Sequence, residues 1–206
     1  LVRTEGAEIG TRTSILPGLV STLSLWLLQS SSELTFAGDS GDTQAHGPSR
    51  KYGVEWASFY RPTSWLTFSA DFSLTRARYR EDQVAVDNRR GRYIANSIPV
   101  VVSAAAVVEA PVGVFAGVRL RYFGSQPLIE DDSVRQPAST IVNALVGYRW
   151  RRYEVSAEAL NLFDSKADDI AYYYPSRLAG EPAGVNDLHV HPAEPFQIRG
   201  SLTVHF

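Results

Sequence analysis

The chain reads as a succession of two-faced stretches in which apolar and polar residues alternate one by one. The last of them is the plainest. Phe196, Ile198, Leu202, Val204 and Phe206 fall on one side of an extended backbone, with Gly200 the single gap in that row. Gln197, Arg199, Ser201, Thr203 and His205 fall on the other. A period of two sends successive side chains to opposite faces of a β-strand. Residues 65–78 repeat the pattern, Leu66, Phe68, Ala70, Phe72 and Leu74 opposing Thr67, Ser69, Asp71, Ser73 and Thr75. In 51–60, Tyr52, Val54, Trp56 and Tyr60 oppose Lys51, Gly53 and Glu55. Val114, Ala116, Val118, Leu120 and Tyr122 oppose Gly117, Arg119 and Arg121. Val142, Ala144, Val146, Tyr148 and Trp150 oppose Asn143, Gly147 and Arg149, and Tyr153, Val155, Ala157 and Ala159 oppose Glu154, Ser156 and Glu158. Residues 98–109 form a strand rich in Val and Ala. Residues 2–15 set Ala7, Ile9, Thr11 and Thr13 against Glu5, Glu8 and Arg12. In 19–29, Leu19, Leu23, Leu25 and Leu27 share one face and Thr22 and Ser24 the other; the β-branched and Ser/Thr content favours a strand there over a helix.

About nine strands result, joined alternately by short turns and long polar loops. The short turns are Leu16-Pro17-Gly18, Arg61-Pro62-Thr63-Ser64, Ala110-Pro111-Val112-Gly113 and Arg151-Arg152. The long loops cover about 30–49, with Gly38-Asp39-Ser40-Gly41 inside it, 79–97, 125–137 and 164–195. Counting back from the final strand puts every short turn on one side. A soluble sandwich has no reason for that asymmetry. An outer-membrane barrel does, because its turns face the periplasm and its loops face outside. The expectation is an all-β fold, an antiparallel up-and-down transmembrane β-barrel segment. Tyr60, Trp65, Trp150, Tyr153 and Phe206 would form one interfacial aromatic band and Tyr52, Tyr79 and Tyr122 the other. The apolar faces would meet lipid. The polar faces, with Glu55, Asp71, Arg119, Arg121, Arg149, Glu154, Glu158 and Arg199, would face the lumen, where charges need partners or water. In a soluble β-sandwich binding module, the alternative, the same charges would be a solvated outer surface.

Composition narrows this further. A formal net charge of −2 over 206 residues gives no reason to expect a nucleic-acid partner. No run approaches the ~18 apolar residues of a spanning helix. The chain has no Cys, which removes disulfides, thiol nucleophiles and thiolate metal sites together. It has no Met and begins inside a strand, so the expectation is the C-terminal part of a longer protein.

Three tracts carry a family resemblance. Ala159-Leu160-Asn161-Leu162-Phe163-Asp164 resembles the N-L-F-D segment in the penultimate strand of TonB-dependent outer-membrane receptors. Asp169-Ile170-Ala171-Tyr172-Tyr173-Tyr174-Pro175-Ser176-Arg177-Leu178, with Gly180-Glu181-Pro182, is similar to the last external loop of one subgroup of that family. The ending from Pro195 to Phe206 resembles the family's last strand. The resemblance implies the last nine or so strands of a barrel of about 22, lacking the N-terminal plug and the TonB-contacting segment. It implies location in the outer membrane of a Gram-negative bacterium and lipid contact. It implies recognition by the barrel-assembly machinery through the terminal Phe206. It also implies energy from the TonB complex through the missing N-terminal part, and a scarce extracellular solute such as a ferric siderophore as cargo. A passive pore or adhesin-like barrel of another family would share the strands and the terminal Phe but need no plug.

Candidate chemistry is confined to the loops. Tyr172, Tyr173 and Tyr174 are costly to expose, so they either pack in the loop cluster or touch ligand; Arg177 follows them. His189 and His191 would project to one side of an extended segment, without a clear third metal ligand. Arg89 and Arg90, with Arg92, either attract an anionic ligand or, the reading favoured, are solvated or touch lipid headgroups. Glu130-Asp131-Asp132 and Asp168-Asp169 lack the spaced oxygens of a Ca²⁺ loop and are expected to be solvated. No nucleophile elbow, phosphate loop or nucleotide fingerprint appears; no enzyme activity, cofactor or metal is expected.

Overall fold

The computed structural model describes residues 2–37 and 42–206; Leu1 and the Gly38-Asp39-Ser40-Gly41 part of the first long loop lie outside the described residues. In chain order the strands are β1 (Thr4–Thr13), β2 (Leu19–Ser30), β3 (Glu33–Ala37), β4 (Asp42–His46), β5 (Ser49–Thr63), β6 (Leu66–Val84), β7 (Arg90–Tyr93) and β8 (Val100–Glu109). They continue as β9 (Val114–Phe123), β10 (Gln126–Pro127), β11 (Arg135–Gln136), β12 (Ser139–Trp150), β13 (Tyr153–Leu160), β14 (Asp168–Ser176), β15 (Val185–Pro192) and β16 (Gln197–Val204). Nine of these form one antiparallel meander in the order β1-β2-β5-β6-β8-β9-β12-β13-β16. Among the described residues β1 and β16 do not pair, so the sheet is an open wall rather than a closed barrel.

Register confirms the two faces. The row Ser58, Ala70, Ala104, Leu120 and Val142 runs straight across five strands, and so does the row Ala57, Asp71, Ser103, Arg121 and Ile141 on the other face. Large apolar side chains of the first face stay exposed, Leu25 at 50% and Val118 at 44%. A soluble sheet would bury this face; here none of the described residues covers it.

The short turns have specific chemistry. Gly18 sits at a φ of 76°, and a Cβ there would lie 2.2 Å from the Arg61 carbonyl oxygen, so only glycine fits. The expected four-residue turn at 61–64 is tighter than that. β5 continues through Thr63, which pairs with Leu66, and the register slips between Tyr60 and Thr63, where Pro62 needs no ladder partner.

The long loops are not featureless. β6 runs six residues beyond the expected end of its strand and pairs with β7; β3 pairs β4, β10 pairs β11, and β14 pairs β15. Most of the buried apolar side chains lie in this layer. Ala77, Tyr79 and Ile94 form one cluster, and Leu128, Ile129, Ala85 and Ala171 are also buried. Tyr79 is therefore not part of an outward aromatic band. It is 2% exposed and pairs with Ser49 on the same face as Asp71, because 79 has the parity of the polar row.

Candidate functional site: the layer of long loops

Four loops rise from one edge of the wall and are fastened to one another. The β3–β4 hairpin turns onto the inner face at the top of the wall. Ser49 Oγ donates to the Glu33 carboxylate, and Lys51 Nζ donates to Glu33 Oε2 at 2.8 Å. The hairpin's His46 ring lies 5.7 Å from the Tyr79 ring. Gly47 N–H donates to Gln83 Oε1 (3.1 Å), which ties this hairpin to the β6–β7 extension. That extension meets the third loop where Tyr93 N–H donates to the Glu130 carbonyl (3.0 Å) and Asn96 N–H to the Pro127 carbonyl (2.8 Å). The backbones touch here: a Cβ on Gly91 would lie 1.8 Å from the Glu130 oxygen. The third loop reaches the fourth through Gln136 Nε2, which donates to the Asp168 carbonyl at 2.6 Å. The fourth returns to the second through Asn186 Nδ2 and the Val86 carbonyl, at 3.5 Å.

Glu130 corrects an expectation. Its acidic run was expected to be solvated, yet the residue is only 8% exposed, because the β10–β11 pair folds the loop back onto β7. Burial pushes its carboxyl up from the usual carboxylate range, and the neighbouring Asp131 and Asp87 add to this while His46 opposes it. Asp131 shifts the other way. Burial is outweighed there by the Ser133 N–H and hydroxyl and by Arg89, which together hold its carboxyl low.

The side chains singled out from sequence are scattered through this layer. Arg89 lies 3.4 Å from both Asp87 and Asp131, so its charge is locally compensated. Arg92 pairs with Asp82 at 2.6 Å, while Arg90 is exposed at the start of β7. Tyr172 and Tyr174 share one face of β14 and Tyr173 takes the other. Tyr174 stacks on His189 with ring centroids 3.9 Å apart and planes 13° from parallel. His191 is exposed on the same side of β15 as His189. Arg177 is exposed and donates from Nε to the Glu181 carbonyl (2.8 Å). Among the described residues no three His, Cys, Asp or Glu side chains come together as a metal site.

The inner-face charges divide in two. At the short-turn end Arg149 spans four strands: Nε donates to Glu154 Oε2 at 2.7 Å, Nη1 lies 3.6 Å from Glu109 Oε1, and the guanidinium covers the Phe115 ring at 4.6 Å. Arg199 lies 3.3 Å from Glu194 and sits directly across from Glu158. Higher up, Glu55, Asp71, Arg119 and Arg121 are exposed and make no ion pair among the described residues. They present fixed charge to the enclosed side of the wall.

The N-L-F-D segment proves to be a clamp at the base of the fourth loop. Asn161 is 3% exposed with a φ of 47°. Its N–H donates to Asn143 Oδ1 (2.9 Å), its Oδ1 accepts from Ser165 N–H (2.8 Å), and its Nδ2 donates to the carbonyls of Ser165 and Glu194 (3.0 Å each). Asp164 accepts from Lys166 Nζ (2.7 Å) and Phe196 N–H (3.1 Å), and these, Lys166 foremost, hold its carboxyl below the usual range. One short motif thus ties β12, β13, the fourth loop and the start of β16. Sequence reasoning missed the roles of Asn161, Asn143, Glu33, Ser49 and Tyr79. The odd parity of Ser49 and Tyr79 was the available signal for the last two.

Comparison with known proteins gives this geometry a family. The chain matches the family described as TonB dependent receptor-like, beta-barrel over residues 2–162. The ferric-catecholate import receptor Fiu of E. coli K12, in its closed form, superposes with a TM-score of 0.74 at 21% identity, over 100% of this chain and 28% of that one. The siderophore receptor PiuA of Acinetobacter baumannii gives 0.73 at 13% identity, over 98% and 28%. The ferric yersiniabactin uptake receptor FyuA of Yersinia pestis gives 0.69 at 14%, over 100% and 30%. The chain therefore spans less than a third of the length of these receptors. With the family matched over most of its residues, the chain belongs to the TonB-dependent receptor-like β-barrels of the outer membrane.

Proposed function

We propose that this chain is the C-terminal part of the barrel of a receptor in the outer membrane of a Gram-negative bacterium, and that the whole receptor takes up a scarce extracellular solute, a ferric siderophore, with energy from the TonB complex. The observation that carries this reading is the interlocked layer of four loops above a nine-strand wall that superposes end to end on a ferric-catecholate import receptor. The plug and the remaining strands, in an earlier part of the protein, would close the barrel against β1 and β16 and occupy the charged inner face. Solute contact is assigned to the second and fourth loops, which carry Arg89, Arg90, Tyr172, Tyr173, Tyr174, Arg177, His189 and His191. Phe206, fully exposed beyond β16, is left accessible as an assembly signal. The role is transport, with no catalytic step.

The test is growth on iron. A strain lacking the whole gene should lose growth when a ferric-catecholate siderophore is the sole iron source and recover it with the intact gene in trans. Growth that is unchanged on ferric siderophores but impaired on copper or another solute would replace the cargo. Growth independent of TonB would favour a passive pore.

A further inference from the structure

The apolar face of the wall carries a second feature that solute uptake does not use. Even-numbered residues of β5 and β6 face outward, and their pairing runs Tyr60–Phe68, Ser58–Ala70, Trp56–Phe72, Val54–Leu74, Tyr52–Arg76 and Arg50–Arg78 toward the loop end. The apolar column thus ends in three guanidinium groups on two adjacent strands. Arg50 and Arg76 are exposed and make no ion pair among the described residues. Arg78 is half-buried, with its guanidinium 3.4 Å from the Tyr93 ring centroid and its Nη1 donating to the Ala77 carbonyl (2.7 Å); these contacts hold it in place, and among the described residues it makes no ion pair. The nearest carboxylate in that row, Glu5 on β1, is already paired with Arg3.

Below the cations lies a depression of about 480 Å³. The small side chains Ala70, Ala104 and Ala106 form its floor, and Trp56, Tyr60 and Phe68 its rim. Trp56 Nε1 donates to Ser21 Oγ (2.8 Å), so the indole can lie in hydrocarbon without an unpaired donor. From Arg76 to Ala70 is six residues, ~20 Å of strand at ~3.4 Å each. A tilt of ~40° turns that into about 15 Å of depth, half of a ~30 Å hydrocarbon core. A headgroup held at Arg50 and Arg76 would therefore place its chains over the depression.

We infer that this face binds a phosphorylated, acylated lipid of the outer leaflet, its phosphate on Arg50, Arg76 and Arg78 and an acyl chain in the depression over Ala70 and Ala104. Cations at the membrane surface that lack carboxylate partners are complementary to a phosphate and to little else at that level. The site lies on the opposite face of the wall from the solute path, so it stands or falls independently of the cargo.

The test uses the intact receptor in non-ionic detergent, titrated with bisphosphorylated lipid A and with its dephosphorylated counterpart. Bound lipid is read by native mass spectrometry. The phosphorylated lipid should bind the more tightly, and Arg50→Gln with Arg76→Gln should weaken it about 30-fold, each single substitution about 5-fold. Ala104→Phe should weaken both lipids alike. Arg119→Gln with Arg121→Gln, the same charge loss on the inner face, should change nothing. Heat-dependent gel migration confirms that each variant is folded; if the double variant is not, the single substitutions decide. Unchanged binding after loss of Arg50 and Arg76, or equal loss from the inner-face pair, would overturn the proposal.

Discussion

Single residues hold the parts of this wall that repeat patterns leave open. Asn161 makes four hydrogen bonds to three residues from one buried position while adopting a left-handed backbone that Asn tolerates better than most residues. In the intact receptor Asn161→Ala should cost about 1–3 kcal/mol, since it strands the Ser165 and Glu194 groups. Asn161→Gly should cost nearly as much, because the backbone is relieved but the bonds are still lost. Urea titration of the lipid-reconstituted protein measures both. A different constraint operates at Gly147. A Cβ there would fall 2.1 Å from the Phe115 ring, which lies across the glycine beneath Arg149. Gly147→Ala should destabilise by about 1–3 kcal/mol through overpacking, and Phe115→Leu in the same chain should recover part of that. Additive losses would show that the ring does not occupy the space above Gly147.

At the level of elements the wall and the loops obey different rules. Each wall strand needs only its alternation and its neighbours, and its ends came out within a few residues of what periodicity predicts. β6 is the exception. Its continuation through Arg80 to Val84 carries polar residues on both faces, so no alternation marks it, and it forms because β7 and the Gly47-Pro48 turn before β5 supply partners. The docking of that third loop should depend on pH. Glu130 has a raised carboxyl pKa in the folded state, so the folded loop binds more protons than the unfolded loop between the ordinary carboxylate value and the raised one. Docking is then strongest below the ordinary value and weakens as pH rises through the raised one. Amide exchange over 127–135 should be slower at acidic than at neutral pH, and Glu130→Gln should flatten the difference. Exchange that slows with rising pH, after correction for intrinsic rates, would contradict this.

For the whole molecule the governing fact is that its largest apolar surface faces outward. Val118 lies near the middle of that face, and Val118→Arg should cost about 2–4 kcal/mol of folding stability in a bilayer, the expense of a charge at mid-depth. Ser69→Arg, on the inner face of β6 two strands away and near Asp71, should cost much less. Equal costs would mean that the two faces share one environment. The open edges of β1 and β16 belong to this scale too. Unpaired strand edges in a bilayer strand backbone groups without partners, which supports the proposal that further strands close this wall.

Alternation along the chain was enough to establish the strands, their two faces, the short turns and the side of the wall on which the long loops gather. Each of these depends on a side chain's parity and its immediate neighbours. The N-L-F-D segment was recognisable by resemblance, but its work as a clamp was not, because its partners Asn143 and Glu194 are 18 and 33 residues away from Asn161. The Glu33 latch, the burial of Glu130 and Tyr79, and the Arg50–Arg76–Arg78 patch over the alanine floor likewise depend on which strands become neighbours and how far loops fold back. Long-range pairing leaves no local signature in composition or period, so those features became visible only once the strands were in register.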